Sequence, residues 1–416
     1  MAETTRREWL RLAGVACVAG VAGCSSSDDG GSDEASGDDT PTAGTPTEAD
    51  PGSDDTPAAN ETETETGSTT QVSGWLMMGA DPANTGYAPE ETGPTDDVTT
   101  SWVFETGGAI ASAPAVVDDT VFVGNRNNTL FALDAVAGEQ QWTLETGGEI
   151  HSAPAVVGGT AYVGSWDNTL YALDAETGDQ QWTVETSGRV TSSPAVADGT
   201  VYVGNHDNTL YAVDTATGEK QWTSEADDEL EASPAVAEGT VYIGSWDSKV
   251  YAVDAKTGDQ QWAFETEDWL NSSPAVSEGT VYVGSHDGNV YAVDAETGDQ
   301  QWAFETGNDV SSSPAVADGT VYVGSFNNNL YALDTATGEQ QWRFETGARV
   351  SGSPVVADGT VYTGSTDDGI YAVDAATGEQ AWRVETDGEL KGSLAIADGL
   401  VFVGSQDNRL YAIAEQ

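Results

Sequence analysis

Tryptophan recurs at positions 102, 142, 182, 222, 262, 302, 342 and 382 of this 416-residue chain, a step of 40 that no insertion or deletion disturbs. A fixed long period means one supersecondary unit stacked on copies of itself, because a unit of that size cannot bury its apolar face alone. Glycine keeps the same step at 124, 164, 204, 244, 284, 324, 364 and 404. Proline from 114 to 354, aspartate from 134 to 374 and a turn glycine from 138 to 378 each recur seven times.

Within one period the residues divide into four short runs. In the third copy these are Ser193–Val196, Thr200–Val203, Leu210–Val213 and Gln221–Thr223, separated by Asp198-Gly199, His206-Asp207-Asn208 and Thr217-Gly218. β-branched and aromatic residues bounded by Gly, Asn and Asp predict strands and hairpins, and no segment sustains a helical period. Four strands per period is the pattern of a propeller blade. Trp102-Val103-Phe104 reads as a fourth strand with no blade before it, while the last copy stops after Leu410–Ile413 with its fourth strand missing. The predicted fold is therefore all-β: an eight-bladed propeller of four-stranded antiparallel blades, closed by the N-terminal strand pairing into the last blade, with no open sheet edge.

Ala255-Lys256-Thr257-Gly258-Asp259-Gln260-Gln261-Trp262 resembles the tryptophan-docking motif of quinoprotein-type propellers, and Gly74-Trp75 with Asp81–Tyr87 resembles the segment preceding their first blade. That family, in which each such tryptophan lies against the neighbouring blade, includes the pyrroloquinoline-quinone (PQQ) dehydrogenases and the BamB-like lipoproteins. The resemblance covers residues 74 to 413 and implies a blade-docking role for Trp102, Trp142, Trp182, Trp222, Trp262, Trp302, Trp342 and Trp382. In the dehydrogenases it further implies a quinone on the axis with a calcium ion, a pair of neighbouring cysteines, a carboxylate base and long insertions. This chain has no cysteine after Cys24 and no insertion between repeats, and Asp134, Asp174 and Asp214 repeat where a catalytic base need occur only once. No catalytic residue, cofactor or metal is expected, and a redox enzyme or a BamB-like assembly factor stands as the alternative.

The N-terminal stretch carries a different message. Arg6-Arg7, the small-residue run to Gly23 and Cys24 resemble a twin-arginine signal with a lipobox; the run falls short of the roughly 20 residues a span needs. We expect residues 1–23 to be a signal peptide, Cys24 to carry lipid, 24–71 to be a disordered acidic tether, 72–101 a leader packing on the propeller and 102–416 the propeller. Such a protein would sit on the outer face of the cytoplasmic membrane, touching it through the anchor only. With 13 Lys and Arg against 70 Asp and Glu, the net charge of −57 argues against nucleic acid as a partner and for a salt-loving source, since concentrated salt screens self-repulsion. Asn60, Asn127 and Asn271 begin glycosylation sequons.

Variation against the repeat marks a candidate binding face. The turn between second and third strands carries Arg126, Trp166, His206, Trp246, His286, Phe326, Thr366 and Gln406, and the junction between blades carries His151, Glu231, Trp269, Asn271 and Lys391. If strands alternate up and down, both open on one face. Trp166, Trp246 and Trp269, with His151, His206, His286 and Phe326, then form an aromatic arc over blades two to six, the character of a recognition surface. The three histidines are expected in surface turns of different blades, where they would make no metal site. The reading is a monomeric, non-catalytic scaffold for a cell-envelope protein or glycan.

Overall fold

The computed structural model describes residues 75–416; the Arg6-Arg7 signal, Cys24 and the tether lie outside the described residues. The first strand, β1 (Val98–Glu105), stands apart from the repeat. Blade 1 follows as β2 (Ala115–Val117), β3 (Thr120–Gly124), β4 (Thr129–Asp134) and β5 (Gln140–Glu145), paired antiparallel in that order. Six more such blades run from β6 (Ala155–Val157) to β29 (Gln380–Glu385). Blade 8 holds β30 (Ala395–Ala397), β31 (Leu400–Gly404) and β32 (Arg409–Glu415), and β1 is its outer strand. Trp102 faces Ala412 in that pairing just as Trp142 faces Ala132 in blade 1, so the spare strand completes the last sheet in the common register. It begins at Val98, inside the stretch assigned to the leader.

Sheets stacked face to face leave the middle strands covered on both sides, which explains why runs such as Thr240–Gly244 are buried throughout instead of alternating. Close stacking also explains the repeated glycine. A Cβ on Gly164 would come within 2.4 Å of a Val190 methyl in the next blade, a distance no side chain tolerates.

Each repeated tryptophan reaches across a blade boundary. Trp142 Nε1 donates to the carbonyl of Ala175 in the turn of the next blade, and its ring covers Gly178, whose φ of 76° suits glycine. The same bond runs from Trp102 to Ala135, Trp182 to Thr215, Trp222 to Ala255, Trp262 to Ala295, Trp302 to Thr335 and Trp342 to Ala375, at 2.8 to 3.1 Å. These indoles therefore dock blade on blade as the motif implies. For Trp382 the equivalent position, Glu415, continues strand β32 instead of turning, and the carbonyl of Pro94 supplies the acceptor at 2.7 Å. Tyr362, whose counterpart Tyr322 bonds Ala375, uses the same Pro94 oxygen.

The segment before β1 lines the inside of the wheel. The innermost strands turn unpaired amides toward the axis, and carbonyls of Trp75, Leu76, Pro82, Ala83, Thr85 and Gly86 accept from Val116, Val156, Val236, Val276, Val316 and Val356. Trp75 is fully buried, and Asn84 Nδ2 donates to Pro234 and Pro274. This segment ties six of the eight blades together from within.

Candidate ligand-binding face and axial cavity

The turn between the second and third strands of a blade is tied to the junction leading into that blade: Trp166 N bonds Glu149 O, His206 N bonds Arg189 O, and Trp246 N bonds Glu229 O. Both sets of variable positions therefore share one face. The opposite face holds the other two turns, joined by bonds such as Ala175 N to Gly159 O.

The aromatic residues on the first face make a ribbon of mutual contacts. His151 stacks on Trp166 at 4.1 Å and 3°, and the Arg189 guanidinium lies over that indole at 4.4 Å. Trp166 Nε1 donates to Thr191 Oγ1, which also bonds His206 Nε2. His206 leads to Trp246 at 6.3 Å, Trp246 meets Trp269 edge-on at 4.5 Å, Trp269 meets His286 at 4.5 Å, and His286 meets Phe326 at 6.3 Å. Arg349 closes the series 4.8 Å from the Phe326 ring. Arg126, Thr366 and Gln406 complete the turn positions outside this ribbon, Gln406 donating to Ile110 O.

The histidines differ from the surface-turn expectation. Their side chains are only 13%, 18% and 9% exposed at 151, 206 and 286, because each ring is covered by an aromatic neighbour and held by a carboxylate. Glu149 pairs with His151 at 2.8 Å, Glu229 with His206 at 3.1 Å and Asp309 with His286 at 3.4 Å. Burial dominates at His151 and holds it below the ordinary imidazole value despite Glu149. Sequence reading missed Arg189 and Arg349, although their position varies as strongly as the others, from Ala109 through Trp269 to Glu389.

Inside this ribbon lies a cavity of about 470 Å³ on the propeller axis. Its upper wall is one residue from each blade: Ala111, His151, Thr191, Glu231, Asn271, Ser311, Ser351 and Lys391. Two residues further on, serines at 193, 233, 273, 313, 353 and 393 form a lower collar, and Met78 of the leader reaches the same cavity. Burial raises Glu231 above the ordinary glutamate value, with Glu229 adding to the effect and His206 opposing it. Asn271 Oδ1 accepts from Trp246 Nε1 at 2.7 Å, and His286 Nε2 bonds Ser311 Oγ at 2.9 Å. Phe326 has no polar edge to offer at the equivalent place, and among the described residues Ser351 Oγ is left buried without a partner.

A calcium ion takes about 6–8 oxygen ligands, carboxylates prominent among them. The cavity offers Glu231 as its single carboxylate, beside Arg349 and Lys391. Among the described residues no group of three or more His, Cys, Asp or Glu side chains is placed to hold a metal ion. The lining does not fit a calcium–quinone pair.

Comparison with known proteins agrees with the architecture. A family model described as "Beta-alanine-activating enzyme, beta-propeller" matches residues 196–416, and one described as outer membrane protein assembly factor BamB matches residues 94–208. No curated protein matches the chain. A europium-containing methanol dehydrogenase superposes with a TM-score of 0.73 at 16% identity, over 82% of this chain and 98% of that one. BamB from Moraxella catarrhalis gives 0.65 at 21% over 76% and 97%. The quinohemoprotein alcohol dehydrogenase from Comamonas testosteroni gives 0.69 at 17% over 82% and 80%. At such identities the likeness establishes the fold, which enzymes and a non-enzyme share. The chain is a PQQ-like β-propeller and belongs to the family whose model, that of the β-propeller of β-alanine-activating enzyme, spans more than half of it.

Proposed function

We propose that this chain is a non-catalytic cell-envelope propeller that binds an envelope protein or glycan through the face carrying the aromatic ribbon. Export by the Arg6-Arg7 signal and a lipid on Cys24 would hold it at the outer face of the cytoplasmic membrane, with the acidic tether giving the wheel reach. The observation that carries the reading is the contrast within the repeat. Framework positions are the same in nearly every blade, while the positions around one mouth of the axis vary from blade to blade and pack into a single asymmetric surface. A lining in which a single carboxylate, Glu231, sits among Arg349 and Lys391 favours binding over calcium-assisted quinone chemistry.

The test is capture of partners from a cell-envelope extract on the propeller. We expect a Trp269→Ala/Phe326→Ala variant to lose most of the recovered material and a Glu296→Ala variant on the opposite face to lose none. Equal recovery by all three proteins refutes the assigned face.

A further inference from the structure

The serine collar carries a hydrogen-bond imbalance. Ser193, Ser233, Ser273 and Ser313 are only 6%, 5%, 2% and 6% exposed, and all four line the axial cavity. Each Oγ accepts the backbone amide of the preceding blade at 2.9 Å: Ala153 N to Ser193, Ser193 N to Ser233, Ser233 N to Ser273, and Ser273 N to Ser313. A serine hydroxyl has one proton to give. Ser273 directs its proton toward Met78 Sδ at 3.9 Å, a weak acceptor. Among the described residues Ser193, Ser233 and Ser313 have no acceptor at all, although their oxygens are polarised by the amides they bind. Asn271, on the wall above them, spends its oxygen on Trp246, and among the described residues its amide protons have no acceptor. Lys391 and Arg349 line the same space.

We propose that the axial cavity binds a small carboxylate anion, seated against the serine collar of blades 3 to 6. Buried donors without acceptors are costly, and an acceptor-only group satisfies several at once. Charge points the same way: a chain of net charge −57 lines this space with an arginine, a lysine paired with Glu389 at 2.8 Å, and one carboxylate. Burial holds that carboxyl, Glu231, above the ordinary glutamate value, which weakens its opposition to an anion. The volume of about 470 Å³ leaves room for a small organic acid beyond its carboxylate. The site lies below the aromatic ribbon and stands on the collar, so rim variants and collar variants separate it from the partner-binding reading.

Calorimetric titration of the full chain with glycolate tests the proposal, with glycerol as the uncharged comparison. We expect saturable binding of one glycolate, binding of glycerol weaker by about tenfold or more, and a similar loss of glycolate affinity in Ser233→Ala/Ser313→Ala. Alanine already stands at this register in Ala113 and Ala153, so the substitution is compatible with the fold; retention of cooperative melting checks this. Displacement of glycolate by chloride supports an anion site built from the collar donors. Absence of glycolate binding, equal binding of glycerol, or unchanged affinity in the folded double variant overturns the proposal.

Discussion

Trp142 and Trp166 are neighbours in sequence and opposites in role. Trp142 belongs to a lattice: the same indole bonds a carbonyl of the next blade from Trp182, Trp222, Trp302 and Trp342 as well, and a turn glycine lies beneath each ring. Trp166 is bonded to Thr191 and flanked by His151 and Arg189, none of which recurs at its equivalent position in the neighbouring blades. Identity across blades tracks contacts that hold the ring together. Difference across blades tracks the residues around the axial mouth, where the ring demands little of any side chain. In a repeat protein, each copy serves as the control for the others.

The comparison breaks most visibly if a lattice tryptophan can be spared. Trp142→Ala removes a large ring from the interface between two blades and leaves the Ala175 carbonyl without its donor. We expect a loss of about 3–5 kcal/mol, read as a lowered midpoint in denaturant. Trp382→Ala should cost as much, although its acceptor is Pro94 of the leader. A markedly smaller loss at Trp382 would mean that the leader does not substitute for the missing turn.

A smaller effect sharpens the same contrast. Gly164→Ala forces a methyl against Val190 across the blade boundary, with the Val190 carbonyl also only 2.9 Å from the new atom. We expect about 1–3 kcal/mol, the usual cost of overpacking, seen as a lower melting temperature. Gly158→Ala on the opposite face meets nothing within 4 Å, and although its positive φ is strained for alanine, it lacks the steric clash. If the two cost the same, the contact with Val190 adds nothing beyond what backbone strain costs at Gly158, and blade contact does not explain the glycine lattice.

The wheel was legible because closure, strand order and blade number all follow from one period and from complementary incomplete ends. The leader's course was not. It binds the inner strands through its own carbonyls, which leave no side-chain signature, and the role of Pro94 depends on Glu415 staying in β32 where the other blades turn. The face was placed by alternation of strands, and the outlying aromatics do meet there; what sequence could not show is that they cover one another. The serine collar was present in the repeat at 193, 233, 273, 313, 353 and 393. It resembled lattice because it repeats, and only the geometry exposes its unused protons.

Glu231 is the subtlest test of whether the mouth is free of framework duties. A carboxyl raised by burial keeps its proton in the folded chain after the unfolded chain has released it. Stability is then greatest below the ordinary value of 4.5 and falls as pH rises from there through the folded value. Glu231→Gln retains the shape and cannot ionise, so we expect melting temperatures that match the parent at low pH and exceed it at neutral pH. A variant less stable than the parent at neutral pH would show Glu231 acting as a structural anion, held by His206 and Trp246. The contrast between lattice and mouth would then fail at the residue where it is most sharply drawn.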